Sequence, residues 1–280
     1  MRNLLSAGMF RLLKSKLLYV ALGASILLEV YTLLPERDRL RLLAIPLEKA
    51  VFAYPLFIVL IVPSFCGLFF GAEYGSGTLR NKVAAGIAKR DIYLTNLLVA
   101  MGVAMVLTLA SLLTGLALGL FFQGEFQNEP AEVVAYVICS LGVALAISSF
   151  SITVTMLISN RAVSLLAAVM TSLALLFVGQ FLIQALHEPE FTRPTERFVE
   201  NGMVSYIVDM DAPEGPNPYY IGGIQRLLYQ FLLYFLPQGQ CFQIAFLGLE
   251  RPELCLGGTG LFLVLTTTLG LALFHKKDIK

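Results

Sequence analysis

The sequence predicts an all-α integral membrane protein with six transmembrane helices, and three observations carry that expectation. Hydrophobic residues make up 57% of the 280 residues and charged residues only 14%, against roughly 25% charged in an ordinary soluble domain. Runs free of Asp, Glu, Lys and Arg recur at 50–72, 92–124, 133–160, 162–187, 227–249 and 254–275, each long enough for the about 20 residues a bilayer core demands. The charges between the runs sort by sign from one segment to the next. A chain this short has too little interior to hide so much apolar surface in water, and its high hydrophobicity excludes disorder. The net charge of +1 gives no electrostatic case for nucleic acid. The runs are also too long and too continuously apolar for porin-like strands, which alternate over about ten residues.

The elements follow in order. Residues 1–16 scatter Arg2, Arg11, Lys14 and Lys16 among Leu4, Leu5, Met9, Phe10, Leu12 and Leu13. This reads as an amphipathic helix on the inner surface, or equally as the extended start of the first span, and not as a cleavable signal. The first span, 17–34, continues past Glu29, which lies near its outer end. Five further spans are expected at 51–71, 97–122, 133–158, 162–186 and 255–274. The run at 227–249 is set apart by Gln225, Arg226 and Gln230 at its start and by Pro237 within it. Only about ten apolar residues stand between, which suits a re-entrant segment better than a span.

Charge fixes the orientation, because Lys and Arg collect on the cytoplasmic side. With six spans and both termini cytoplasmic, the inner segments hold twelve basic residues against Glu73, Asp91 and Asp278. The outer segments hold eight basic residues and fifteen acids. The near-neutral total thus hides +9 inside and −7 outside, with Glu29 apart. A seventh crossing would carry Lys276 and Lys277 to the wrong side. The expectation is a single transmembrane domain, 1–280, in a cell membrane, with a cytoplasmic loop at 72–96 and an extracellular segment at 187–253.

The five later spans carry no charge in their interiors. That disfavours an ion-coupled carrier or channel, which needs buried ionisable groups or broken helices. The two histidines, His187 and His275, lie at opposite faces, so no H-E-x-x-H site exists, and no G-x-S-x-G occurs. No metal site is expected. Glu29 either reaches the headgroups or takes a coupling or substrate role. Cys66 and Cys139 are expected to pack inside spans. Cys241 and Cys255 both fall outside and can form a disulfide in an oxidising compartment. Gly67 and Gly71, and Gly115 and Gly119, make G-x-x-x-G spacings that allow close helix approach, within the chain or in a dimer. Phe57, Phe65, Thr171, Gln180 and Gln184 are candidates for a greasy substrate path, with lipid or core packing as the plain alternative. Gln180 and Gln184 share a helix face and need partners in another helix or a wet cavity.

The most informative stretch is the inner loop, G-A-E-Y-G-S-G-T-L-R-N-K from Gly71 and V-A-A-G-I-A-K-R-D-I-Y-L from Val83. Gly75, Gly77 and Gly86 permit turns. Between them, Thr78 to Ala85 can form a short helix with Leu79 and Val83 on one face. Glu73 and Arg80 are expected to form a local ion pair. A solvated basic loop that only fixes topology is the bland reading.

This loop resembles that of the membrane subunits of type-2 ABC exporters, the family of antibiotic and peptide efflux permeases. Glu73, Tyr74, Gly77, Thr78, Leu79, Arg80, Gly86, Arg90 and Tyr93 match the family pattern. Ala88-Lys89-Arg90 departs from it where a Ser commonly precedes the Arg. The six spans, the N-terminal surface helix, the outer segment before the last span and the ending F-H-K-K-D-I-K from Phe274 resemble the family as well. The resemblance implies a coupling helix that docks on a separate ATPase, with Glu73, Tyr74, Gly77, Thr78, Leu79, Arg80, Lys82 and Arg90 at the coupling site. It implies a permease domain in a bacterial cell membrane, two ATPase copies, which hold ATP and Mg, and a second permease copy, identical or related. The chain itself has no G-x-x-x-x-G-K-[ST], so it is expected to be no enzyme and to hold no cofactor. The substrate expected to be exported is a hydrophobic or amphipathic peptide, antibiotic or lipid-like molecule. The competing reading is a non-transporting sensor or immunity subunit that binds an extracellular peptide.

Overall fold

The computed structural model describes residues 2–42, 46–122, 124–193, 195–200, 203–208 and 212–278. It is predominantly helical. Six stretches are long and apolar enough to cross a membrane: 16–36, 47–75, 89–121, 130–157, 161–187 and 252–276. Each contains or closely matches an expected span, and the run at 227–249 is not among them. Gly8 lies against Thr95 and Val99, and Lys277 reaches Tyr74, so the first and last described helical stretches meet at one end of the bundle, here the tail face. The opposite face carries the outer segment.

Helix α1 (Arg2–Leu13) lies against α7 through Leu4, Leu5, Gly8 and Leu12, and leaves Met9, Phe10 and Leu13 exposed. That division is what the sequence pattern asks of a surface helix. The chain turns at Ser15, whose Oγ accepts the Leu17 N–H at 3.2 Å, and enters α2 (Lys16–Leu42). The second span is broken into α3 (Leu47–Val51), α4 (Pro55–Phe69) and α5 (Gly71–Gly75). Pro55 lacks an N–H and starts a new helix there. Helix α4 is central, touching α2, α7, α8 and α9, and buries Ile58, Val59, Val62, Phe65 and Cys66. The short α6 (Thr78–Ala84) precedes α7 (Lys89–Phe121), which starts eight residues before the expected span because Ile92, Tyr93, Thr95 and Asn96 are packed into the bundle. Helices α8 (Pro130–Leu157), α9 (Arg161–His187) and α12 (Pro252–Lys276) complete the six, with α12 laid along α8 and α9 along α4.

Both G-x-x-x-G pairs serve packing within the chain. A Cβ at Gly67 would stand 2.5 Å from the Leu165 Cα, and one at Gly71 2.7 Å from the Ser164 Oγ. Gly115 and Gly119 give room to Glu29 and Leu47 in the same way. Glu29 therefore does not reach the headgroups. It is fully buried between α2 and α7, and neither carboxyl oxygen has a hydrogen-bond partner. The helix phase that turns Ser25 and Leu33 inward carries Glu29 inward with them.

The outer segment holds strands that the proline-rich sequence does not announce. β1 (Phe191–Thr192) pairs antiparallel with β4 (Gly215–Pro216). β2 (Thr195–Glu200) pairs with β3 (Met203–Val208), from Thr195 opposite Val208 to Glu200 opposite Met203. Ile279 and Lys280 of the F-H-K-K-D-I-K ending lie outside the described residues. Helices α10 (Gly223–Phe235) and α11 (Pro237–Ala245) then form a hairpin that inserts among α4, α8, α9 and α12. The Gln238 Nε2 reaches the Ser172 Oγ at 3.5 Å. Ser172 lies about 22 Å along α9 from its outer end at 1.5 Å per residue, so the hairpin tip reaches roughly half the depth of the bundle. Gln240 fastens it: Nε2 donates to the Tyr234 and Cys255 carbonyls, and Oε1 accepts from the Thr259 hydroxyl at 2.6 Å.

Close contact at Gly258 admits the hairpin. A Cβ there would stand 1.9 Å from the Tyr234 carbonyl oxygen, whereas Gly257 has open space. Gly258→Ala is expected to lower stability by about 1–3 kcal/mol, the cost of overpacking a filled site. Gly257→Ala, one residue away, is expected to lose nothing. Thermal unfolding in detergent compares the two.

Candidate functional site

The polar junction beneath the tail face begins with two glycines. Gly77 has φ 67° and Gly86 φ 81°, a left-handed backbone that favours glycine. Between them α6 runs from Thr78 to Ala84, as the sequence pattern predicts. Leu79 is 1% exposed and Val83 packs beside it against the core. Removing one such leucine from solvent contributes about 1.5–3 kcal/mol, which seats the helix firmly.

Glu73, on α5, is the centre of the junction and is 1% exposed. Its Oε1 lies 2.5 Å from the Arg11 guanidinium of α1. The Lys82 ammonium of α6 donates to both oxygens at 3.0 Å. The Asn96 amide of α7 donates to Oε2 at 3.3 Å. The expected Glu73–Arg80 pair does not form. Three residues after Leu79, Lys82 shares its inward face, whereas Arg80 is turned about 100° away and points to solvent.

A second set of contacts ties in the remaining helices. The Tyr74 hydroxyl donates to the Met156 carbonyl at the end of α8. The Lys277 ammonium, just past α12, donates to the Tyr74 hydroxyl at 2.8 Å and to the Met156 carbonyl at 3.1 Å, and sits 4.1 Å over the Tyr74 ring. Lys89 at the start of α7 donates to the Lys277 and His275 carbonyls at 2.6 and 3.1 Å. Tyr93 shares a 2.8 Å hydrogen bond with Thr153 and lies so close to α12 that Gly270 leaves no space for a side chain. The segment 73–96 is thus joined to α1, α8 and α12. Its outward face presents Arg80, Asn81, Ala84 and Arg90 to solvent. Of the residues expected at the coupling site, Glu73, Tyr74, Leu79 and Lys82 face inward as fasteners. Gly77 and Thr78 start the helix, and Arg80 and Arg90 are exposed. Arg11, Asn96, Met156 and Lys277 complete the junction from distant parts of the sequence.

The other candidates are scattered. Phe65 belongs to the core, 2% exposed and stacked on Phe69 at 5.2 Å, so within this chain it lines no path. Phe57 is half-buried on α4. The Thr171 hydroxyl is spent on the Ala167 carbonyl at 2.6 Å. Gln180 is half-buried and Gln184 exposed. Gln184 borders an outer cavity of about 590 Å³ between α9 and the α10–α11 hairpin, where His187, Arg226, Gln243 and Glu250 also lie. Cys241 and Cys255 are free thiols, as are Cys66 and Cys139. Cys241 is not outside the bundle but buried in α11, Cys255 is buried in α12, and the Cys139 thiol donates to the Pro252 carbonyl at 3.8 Å. No group of three or more metal-ligating side chains occurs among the described residues.

Compared with protein-family models and with curated proteins, the chain matches none.

Two outcomes check the junction. Glu73→Ala is expected to cost about 2 kcal/mol, below the about 3–5 for a fully buried pair, because the two cations left behind are partly hydrated. Arg80→Ala is expected to stay within about 0.5 kcal/mol. Detergent unfolding measures both. Burial pushes the Lys277 ammonium down to about 8 from the usual lysine range. The folded chain then releases this proton as pH rises through about 8, while the unfolded chain holds it to higher pH, so burying Lys277 becomes less costly over that interval. Acylation of Lys277 by an amine reagent, read by peptide mass spectrometry, is expected to rise with a midpoint near pH 8.

Proposed function

We propose that the chain is the membrane subunit of an ATP-driven exporter resembling the type-2 ABC class, working as two identical copies with two separate ATPase subunits. The observation that carries this reading is helix α6. It is fastened to the bundle through Glu73, Lys82 and Leu79, while Arg80 on its outer face and Arg90 at the start of α7 stay bare. A helix that only closed a loop would need no buried carboxylate wired to α1 and α7. In this reading the tail face is cytoplasmic, as the inner excess of Lys and Arg supports. ATP and Mg bind the partner, whose closure pushes α6. The push passes through Glu73 to Arg11 and Asn96, and through Tyr74 to Met156 and Lys277, so the inner ends of α1, α7, α8 and α12 move as a set.

A second copy would cover the bare face of α9, where Leu166, Met170, Phe177 and Phe181 are exposed and Gln184 interrupts the apolar stripe. Lipid tails cannot satisfy an amide, whereas a facing helix or a wet central path can. Thr171 and Gln180 flank the stripe, and Phe57 lies on the neighbouring α4. A hydrophobic or amphipathic cargo suits such a surface. The outer cavity beside Gln184, with Arg226 and Glu250 on its rim, favours one other reading, a sensor or immunity subunit that holds an extracellular peptide there.

Affinity purification of the tagged chain from its native membrane in mild detergent separates the two. The expected result is an ATPase subunit recovered at one copy per permease chain. In the reconstituted complex, Arg80→Glu is expected to reduce both export and ATPase stimulation at least about tenfold, since it places a like charge against any acidic groove. Recovery of the chain without an ATPase, but with a bound peptide, would replace the exporter reading by the sensor.

A further inference from the structure

A cavity of about 640 Å³ opens at the tail face between α1, α4, α5 and the start of α9. Its walls combine two chemistries. Phe10, Leu68 and Phe69 give an apolar side, and Arg11, Lys14 and Arg161 bring three cations to the rim. Glu73 is the acid on its lining, and it is already engaged by Arg11 and Lys82, so the local balance is positive. Ser76 and Thr78 add hydroxyls from the turn that starts α6. Lys14 and Arg161 are exposed and form no ion pair among the described residues. The Arg11 Nε is buried with no hydrogen-bond partner, although the same guanidinium rests 4.3 Å over the Phe69 ring. A buried N–H left unmade is costly, whereas the partly exposed remainder of the Arg11 side chain lines the cavity and can meet an anion.

We propose that this cavity is a binding site for the headgroup of an anionic phospholipid of the inner leaflet. The assignment rests on the cytoplasmic placement of the tail face argued above. The depth fits. Met9, Phe10 and Leu13 project from α1 at the level where a surface helix meets acyl chains. A basic pocket between spans on the cytoplasmic side is what an anionic headgroup recognises. A neutral, zwitterionic headgroup would set its own cation against three others. The lipid would touch Arg11, the cation that bonds Glu73, and Ser76 and Thr78 beside α6. Leaflet charge would therefore bear directly on the junction that holds α6.

The chain has no tryptophan, so Phe10→Trp gives a single reporter at the cavity. The reporter protein is reconstituted alone in vesicles of phosphatidylcholine with a graded share of phosphatidylglycerol, one lipid brominated at a time. Quenching then gives the relative binding constant of the two lipids. The expected preference for phosphatidylglycerol is about 25-fold, and Lys14→Ala with Arg161→Ala is expected to abolish most of it, at about fivefold per cation. Lys14→Arg with Arg161→Lys is expected to retain it. Equal quenching by both lipids, or a preference that survives loss of both cations, overturns the proposal. Displacement of the phosphatidylglycerol signal by excess inorganic phosphate also overturns it, in favour of a soluble anion. The assay needs no ATPase, so its failure leaves the exporter reading standing, and failure to recover an ATPase leaves the lipid site standing.

Discussion

The buried carboxylate of Glu73 is the constraint from which the tail face is built. An ionised acid with 1% exposure is tolerated only when cations and hydrogen-bond donors surround it. Here the donors come from three separate elements, Arg11 on α1, Lys82 on α6 and Asn96 on α7. None of those helices can shift far without stranding the charge. The arrangement turns one electrostatic requirement into a mechanical connection. Leu79 adds the apolar seat, and Tyr74 with Lys277 extends the connection to α8 and α12.

The outer half of the bundle follows a different rule. There the spans are held by close approach and by neutral hydrogen bonds. Gly179 and Gly239 meet with no space for a side chain between them, as do Gly258 and the Tyr234 carbonyl. Gln240 spends both ends of its amide on the hairpin and on α12. Glu29 is the exception: a buried acid with no partner, tucked against Gly115, where the bundle carries a polar cost that its packing must offset.

Much of this was legible in the sequence, and the omissions have physical causes. Charge-free runs of 22 residues or more revealed five of the six candidate spans because the bilayer sets their length, while the first was read across Glu29 and the run at 227–249 was set apart by its glutamines and Pro237. Gly77, Gly86, Leu79 and Val83 revealed α6 because turn chemistry and helical period are local. The partner of Glu73 was misread because nearness in sequence suggested Arg80, whereas helix phase selects Lys82 and the fold delivers Arg11 from 62 residues away. Phe65 reads like a path-lining aromatic, and only the tertiary neighbours place it in the core. The hairpin's glutamines, Gln238, Gln240 and Gln243, stand in P-Q-G-Q-C-F-Q, a polar cluster inside an apolar run. That cluster was the available sign that the segment enters the bundle. The strands of the outer segment had no such sign among their prolines.

Glu73 holds α6 to the bundle from its inner side. Spin labels at Arg80→Cys on α6 and Ala162→Cys at the start of α9 test it, since both positions are exposed and the four native cysteines are buried. Pulsed electron paramagnetic resonance should give one narrow distance distribution in the otherwise native chain and a broad one when Glu73→Gln is added. A distribution that is equally narrow with and without the carboxylate would contradict the account.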